Sequence, residues 1–231
     1  MAGRREWTRE SLAAGVRAGD RRALARAITL VENGDPLAYD VVRDLYSDTG
    51  RAYAVGVTGP PGVGKSSLIS ALVRHVRGNE QSVGVISVDP SSPFTQGALL
   101  GDRIRLSDHF LDPGVFIRSM ATRGHLGGLA LATPQAIRVL DAAGAAWILL
   151  ETVGVGQVEV EVAGAADTTV VVVNPRWGDA VQANKADRVG TAETRRDLES
   201  MLALTESGDW VPTIIETTAT APRRRSATCG T

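Results

Sequence analysis

Long apolar runs are absent from this 231-residue chain. The longest, near Trp147–Leu150 and Val170–Val173, fall far short of the roughly 20 residues that span a bilayer, so no membrane association is expected. There is a single cysteine, Cys229, which excludes an intrachain disulfide framework and fits a reducing cytosol. Histidine is nearly as scarce. His75, His109 and His125 are scattered without metal-ligand spacing, and each reads as a surface or internally satisfied residue. Neither sign of charge dominates: 25 basic against 26 acidic side chains leave a net charge of −1, which removes a strong pull toward nucleic acid or anionic membrane. The first residues, Met1 to Trp7, carry charges but no apolar signal core, so no export signal is read and a cytoplasmic location is expected. Lysine is the most informative scarcity. Of the 25 basic side chains only Lys65 and Lys185 are lysine, and each lies in a nucleotide-type motif where arginine's planar fork does not replace a point charge.

Lys65 belongs to Gly59-Pro60-Pro61-Gly62-Val63-Gly64-Lys65-Ser66, which fits G-x-x-x-x-G-K-[ST] at every fixed position. A β-rich run, Tyr53–Thr58, precedes it. A run with Leu68, Ile69, Leu72, Val73 and Val76 at helical spacing follows from Ser66 to Arg77. Strand, glycine loop and helix form the context in which this pattern binds phosphate. Glycines let successive backbone N–H groups turn inward as an anion nest, and the helix adds the positive end of its dipole. Lys65 would bring an ammonium to the β- and γ-phosphates, and Ser66 a hydroxyl to Mg²⁺. An ordinary Gly/Pro turn before a surface helix would leave Lys65 unexplained.

The rest of the chain alternates strand and helix, the mark of an α/β fold with a mostly parallel, doubly wound sheet and helices on both faces. Residues 1–50 read as a helical extension with no catalytic pattern, either packed on the nucleotide domain or docking a partner. Within it Asp20 caps a helix ended by Asn33-Gly34, and Asp40–Tyr46 forms another. Strands are expected at Val83–Val88, Val115–Arg118, Ala146–Leu150, Thr168–Asn174 and Val211–Thr217, with helices at Thr133–Ala143 and 190–206. The P-loop domain is taken as 51–221, and Pro222–Thr231, with its three arginines, as a disordered tail. Two strands end in acids. Asp89 leaves the C-terminal edge of the second strand, and Asp102 follows in a loop-to-helix stretch. Glu151 ends an apolar strand and runs into Thr152-Val153-Gly154-Val155-Gly156-Gln157. An acid there can hold Mg²⁺ through water, and the glycines let a backbone N–H swing toward a γ-phosphate. Asn184-Lys185-Ala186-Asp187 matches N-K-x-D, whose aspartate accepts from guanine N–H groups in GTPases.

These residues resemble the MeaB/ArgK group of P-loop GTPases, chaperones of adenosylcobalamin-dependent methylmalonyl-CoA mutase that older descriptions call arginine/ornithine transport-system kinases. The resemblance runs from about Gly15 to Thr218. It is carried by Gly59–Ser67, Val88–Ser92, Gly101–Arg103, Phe116–Ser119, Thr122–Gly124, Leu126–Gly128 and, above all, Glu151–Gln157. It implies that Gly59, Pro61, Gly62, Val63, Gly64, Lys65, Ser66 and Ser67 hold the phosphates of GTP or GDP. It also implies that Ser66, Asp89, Asp102 and Glu151 surround Mg²⁺, that Gln157 lies in a switch loop, and that Asn184, Lys185 and Asp187 read guanine. Residues 175–182 look like the loop that signals nucleotide state to the mutase.

Three departures from the family pattern shape the expectations. Only residues 175–183 separate the fifth strand from Asn184, whereas a parallel crossover needs at least about 10–12 residues including its helix. The sheet is therefore expected to lack an interior strand, which would expose two edges or force new pairing. The family's closing helix and C-terminal dimerisation arm have no counterpart after Ala219, which weighs against the family homodimer, and Arg176 stands where the family usually has a small residue. Phosphate and Mg²⁺ binding with impaired guanine selection and weak stability is the resulting expectation. Two other readings stay open: an ATP-dependent kinase linked to arginine/ornithine transport, and a non-catalytic nucleotide-binding remnant.

Overall fold

Three short helices open the chain: α1 (Arg9–Arg17), α2 (Arg21–Glu32) and α3 (Pro36–Leu45). Each begins at a polar cap. Thr8 and Ser11 form a capping box, and Asp20 Oδ1 accepts from the backbone N–H of Arg22 at 2.7 Å and of Ala23 at 3.2 Å. Asp35 Oδ1 accepts from Leu37 N–H at 2.9 Å, with Pro36 in the first turn. The third helix thus starts at Pro36 rather than Asp40, because Asp35-Pro36 is itself a cap followed by a residue whose missing N–H costs nothing there. The computed structural model describes residues 7–89, 109–121, 128–152, 164–175, 190–204 and 212–219. They fall in two compact units, Met1–Val172 and Val173–Thr231.

The first unit holds five strands: β1 (Tyr53–Thr58), β2 (Val83–Asp89), β3 (Val115–Ala121), β4 (Trp147–Thr152) and β5 (Thr168–Val171). Their order is β3-β2-β4-β1-β5 and every pairing is parallel. Helix α4 (Lys65–Gly78) follows β1, and α5 (Gly128–Ala142) lies between β3 and β4. The sequence places this helix at Thr133–Ala143. It begins at Gly128 instead, so Pro134 lies inside the helix. It removes one ladder bond, which neighbouring Ala and Leu residues with good helix propensity can bridge.

Two apolar layers sandwich the sheet. On one face Ala54, Ile86, Val88, Met120, Ile148 and Leu150 pack with α1, α2, α3 and α5. On the other, Val55, Val57, Val83, Val85, Val115 and Leu149 pack with Ile69, Val73 and Val76 of α4. The strands alternate between these faces residue by residue, as a pleated sheet buried on both sides requires. The N-terminal extension is therefore one wall of the core.

Polar latches fix that wall. Asp141, buried at the end of α5, accepts from the N–H of Gly50 (2.5 Å), Ala52 (3.0 Å) and Arg51 (3.3 Å), holding the link between α3 and β1. Glu32 of α2 pairs with Arg118 of β3 at 2.6 Å, and Arg118 also donates to Thr29 Oγ1 at 2.9 Å. On the opposite face Arg77 of α4 pairs with Asp112 at 2.9 Å. Its guanidinium, helped by the Gly114 N–H, holds the Asp112 carboxyl below the usual carboxylate range. A Cβ on Gly114 would lie 2.3 Å from Arg77 Cζ, so glycine permits this close approach.

Among the described residues β5 pairs on one side only, with β1, and Val171 is 47% exposed. It is shorter than the expected Thr168–Asn174, and residues 176–189, on which the expected loss of a strand turns, lie outside the described residues. The described part of the second unit contains α6 (Thr191–Leu204), where Arg195 bonds Glu199 at 2.8 Å and Glu216 at 3.2 Å. Among the described residues the expected strand at Val211–Thr217 is not formed. Within 212–219 only Thr217 makes an isolated bridge, and Ile215 is 71% exposed. Pro212 offers no ladder donor, and a strand needs a neighbouring edge as well as β-branched residues. Among the described residues, no helix is long and apolar enough to cross a membrane.

Candidate functional site

The loop between β1 and α4 is built by its glycines. Gly62 (φ 78°) and Gly64 (φ 102°) both adopt left-handed conformations, which other L-residues rarely take, and Gly64 is the N-cap of α4. Glycine has no side chain to accept from the first N–H groups of the helix, and those groups, with the positive end of the helix dipole, are the kind that bind phosphate. Val63, 1% exposed, pins the loop into the α4-side core, while Pro61, Gly62 and Ser67 face solvent. Lys65 Nζ lies back along the loop and donates to the carbonyls of Gly59 (2.5 Å) and Pro60 (3.1 Å).

Ser66 meets Glu151. Its hydroxyl donates to Glu151 Oε1 at 2.6 Å, across 85 residues of sequence, and both side chains are buried. The sheet explains the meeting. Parallel pairing sets Glu151 of β4 beside Val57 of β1 on one side and Ser87 of β2 on the other. Val57 leads into the glycine loop, so the acid at the end of β4 lies under the first turn of α4. Ser87, 2% exposed, donates to Glu151 Oε2 at 3.4 Å. Thr152, the next residue of β4, donates to Thr58 Oγ1 of β1 at 3.0 Å. The carboxylate is thus held from two sides at the C-terminal edge of the sheet, where open α/β folds bind ligands.

The arrangement brings together Gly59, Pro61, Gly62, Val63, Gly64, Lys65, Ser66, Ser67 and Glu151 of the residues singled out in the sequence. The backbone of Asp89 ends β2 opposite Ala121 of β3. Asp102, Gln157, Asn184, Lys185 and Asp187 lie outside the described residues. Ser87, Thr58 and Thr152 were not foreseen, although strand alternation puts Ser87 in step with Val83 and Val85, and hence on the α4 face. His109 is buried and satisfied, with Nε2 3.0 Å from Ser70 Oγ, as the sequence suggested for an isolated histidine.

A hydroxyl and a carboxylate oxygen are hard donors, suited to Mg²⁺ rather than to a soft metal. Among the described residues no group of three His, Cys, Asp or Glu side chains could make a metal site alone. The donor set therefore fits a cation that completes its shell with phosphate oxygens and water, the usual state of Mg²⁺ at a P-loop.

Residues 24–224 match the family model described as methylmalonyl Co-A mutase-associated GTPase MeaB. The chain belongs to the MeaB family. A Pyrococcus abyssi protein named "Putative GTPase" is 53% identical to this MeaB-family chain over 87% of it and 68% of the relative. The methylmalonic aciduria type A homolog, mitochondrial, of Caenorhabditis briggsae is 34% identical over 82% of the chain and 51% of its own length. A solved structure described as a LAO/AO transport system kinase superposes with a TM-score of 0.70 at 28% identity, covering 94% of this chain and 71% of that one. The family is one of P-loop nucleotide-binding proteins.

Proposed function

We propose that this chain binds GTP and Mg²⁺ at the Gly59–Ser67 loop, hydrolyses the β–γ anhydride slowly, and uses that cycle as a cytoplasmic chaperone of an adenosylcobalamin-dependent methylmalonyl-CoA mutase. The observation that carries the reading is the 2.6 Å bond between Ser66 and Glu151, which joins the glycine loop to the acid of β4 in one buried site. The loop's N–H groups and the start of α4 cradle the phosphates, and Lys65 exchanges its carbonyl partners for phosphate oxygens. Ser66 and Glu151, with Asp89 and Asp102, would hold a Mg²⁺ ion, which would supply positive charge against the phosphates. Water attacks the γ-phosphorus in line with the leaving oxygen. The sequence offers no clear general base; Gln157, in the switch loop by family resemblance, would orient the water, and slow turnover raised by a partner fits that. The family description and the nematode relative's name support the link to the mutase.

Calorimetry with Mg²⁺ and GDP, GTP or ATP tests the reading. Mg²⁺-dependent binding is expected, with GTP and ATP differing by less than about tenfold, roughly 1.4 kcal/mol. That weak selection follows from the short interval before Asn184, Lys185 and Asp187. A strong GTP preference would overturn impaired selection, and no nucleotide binding would overturn the function. The description of the solved relative as a transport system kinase favours a second reading, phosphoryl transfer from ATP to arginine or a binding protein. Labelled phosphate appearing on such an acceptor would establish it.

A further inference from the structure

The α4 face of the sheet is apolar until its last rows. On β4 Leu149 gives way to Glu151, and on β2 Val85 gives way to Ser87, while both strands keep facing the α4 core up to that point. A valine or alanine would continue the packing at position 87. A serine there, 2% exposed, needs a partner for its hydroxyl, since a buried unpaired donor costs free energy. That partner is Glu151 Oε2, 3.4 Å away, and the two residues are direct register neighbours on adjacent parallel strands. Ser66 takes the other oxygen, Oε1.

From this juxtaposition we infer that Ser87 is a positioning residue for Glu151, setting the carboxylate's orientation toward a divalent cation at the glycine loop. The inference rests on the proposed Mg²⁺–nucleotide site and deepens it. The two holds on the carboxylate differ in kind. Ser66 belongs to the loop and would turn its lone pairs to the cation, whereas Ser87 stands on the rigid strand behind and has no other role in the site. Its bond to Oε2 therefore persists when Ser66 is engaged, and it limits rotation of the carboxylate about its last torsion. The long donor–acceptor distance marks this as a weak bond with a modest effect.

The test is a Mg²⁺ titration of fluorescent GDP-analogue binding by the intact chain, wild type against Ser87→Ala and Ser87→Thr. The readout is the ratio of nucleotide affinity at saturating Mg²⁺ to that in EDTA, which a packing role would not change. Ser87→Ala is expected to lower this ratio about threefold to tenfold and to raise the Mg²⁺ concentration for half-saturation, as loss of one hydrogen bond implies. Ser87→Thr, which keeps the hydroxyl and suits a strand, is expected to restore it. An unchanged ratio in Ser87→Ala, with Mg²⁺-dependent wild type, would overturn the inference alone. If Ser87→Ala does not fold, a ratio in Ser87→Thr lowered as far as in the Glu151→Gln variant would overturn it, and a wild-type ratio would support it. A wild-type chain whose binding ignores Mg²⁺ would overturn the proposed site and the inference with it.

Discussion

On the face of the sheet beneath α1, α2, α3 and α5, the polar side chains Glu32, Arg118 and Asp141 are spent on joining elements to one another. On the face beneath α4, the polar side chains Ser87 and Glu151 gather at one edge and converge on Ser66 at the start of a helix. The first pattern ties a wall to the sheet. The second places a carboxylate and a hydroxyl where a glycine loop offers backbone donors. Ligand chemistry is thus gathered at one edge of the α4 face, whereas stabilising latches, Arg77–Asp112 among them, lie away from that edge, and substitutions at the two should separate in what they change.

The largest separation is expected at Lys65. Lys65→Ala should weaken nucleotide binding on the order of a hundredfold, through loss of charge-assisted bonds to phosphate. Its melting temperature should stay near that of the wild type. Calorimetry and thermal melts on one preparation check both halves, and a variant that melts early yet keeps its affinity would break the comparison. Asp141→Ala should do the reverse. It strands the N–H groups of Gly50, Arg51 and Ala52 and should cost about 2–3 kcal/mol, or about 4–12 °C in melting temperature. Nucleotide affinity of the folded fraction should be unchanged.

Glu32→Gln comes next. Glu32 is 3% exposed but Arg118 is 23% exposed, so solvent partly screens the cation left behind. A loss of about 1–2 kcal/mol in urea unfolding is expected, again without effect on nucleotide. The smallest effect belongs to Asp112→Asn, and pH reveals it. Arg77 holds the Asp112 carboxyl below its unfolded value, so its stabilisation is complete above the unfolded pKa, near 4. It is lost as pH falls through the lower folded value. The variant should therefore melt below wild type at pH 7, and the gap should close on acidification below about pH 4. A gap independent of pH would show that Asp112 acts through packing instead.

The loop from Gly59 to Ser67 was legible because its information is local. Glycine dihedrals, a lysine and a helix start lie within a few residues of one another. Five of the strands were legible from their apolar runs. Asp141 was not, since an acid on an amphipathic helix reads as solvated, and its partners are about 90 residues away. Val211–Thr217 has the composition of a strand, but composition supplies no neighbour to pair with. The start of α5 is read five residues late, at Thr133, because Gly124–Gly128 has the composition of a turn while the helix begins at Gly128.

Sequence alone determined the phosphate loop, the parallel α/β class and the acid at the end of β4, because each depends on short-range periodicity or backbone freedom. The tertiary structure decided which residues stand around that acid. Strand order and register are set by burial across the whole sheet, and only they make Ser66, Ser87 and Glu151 neighbours.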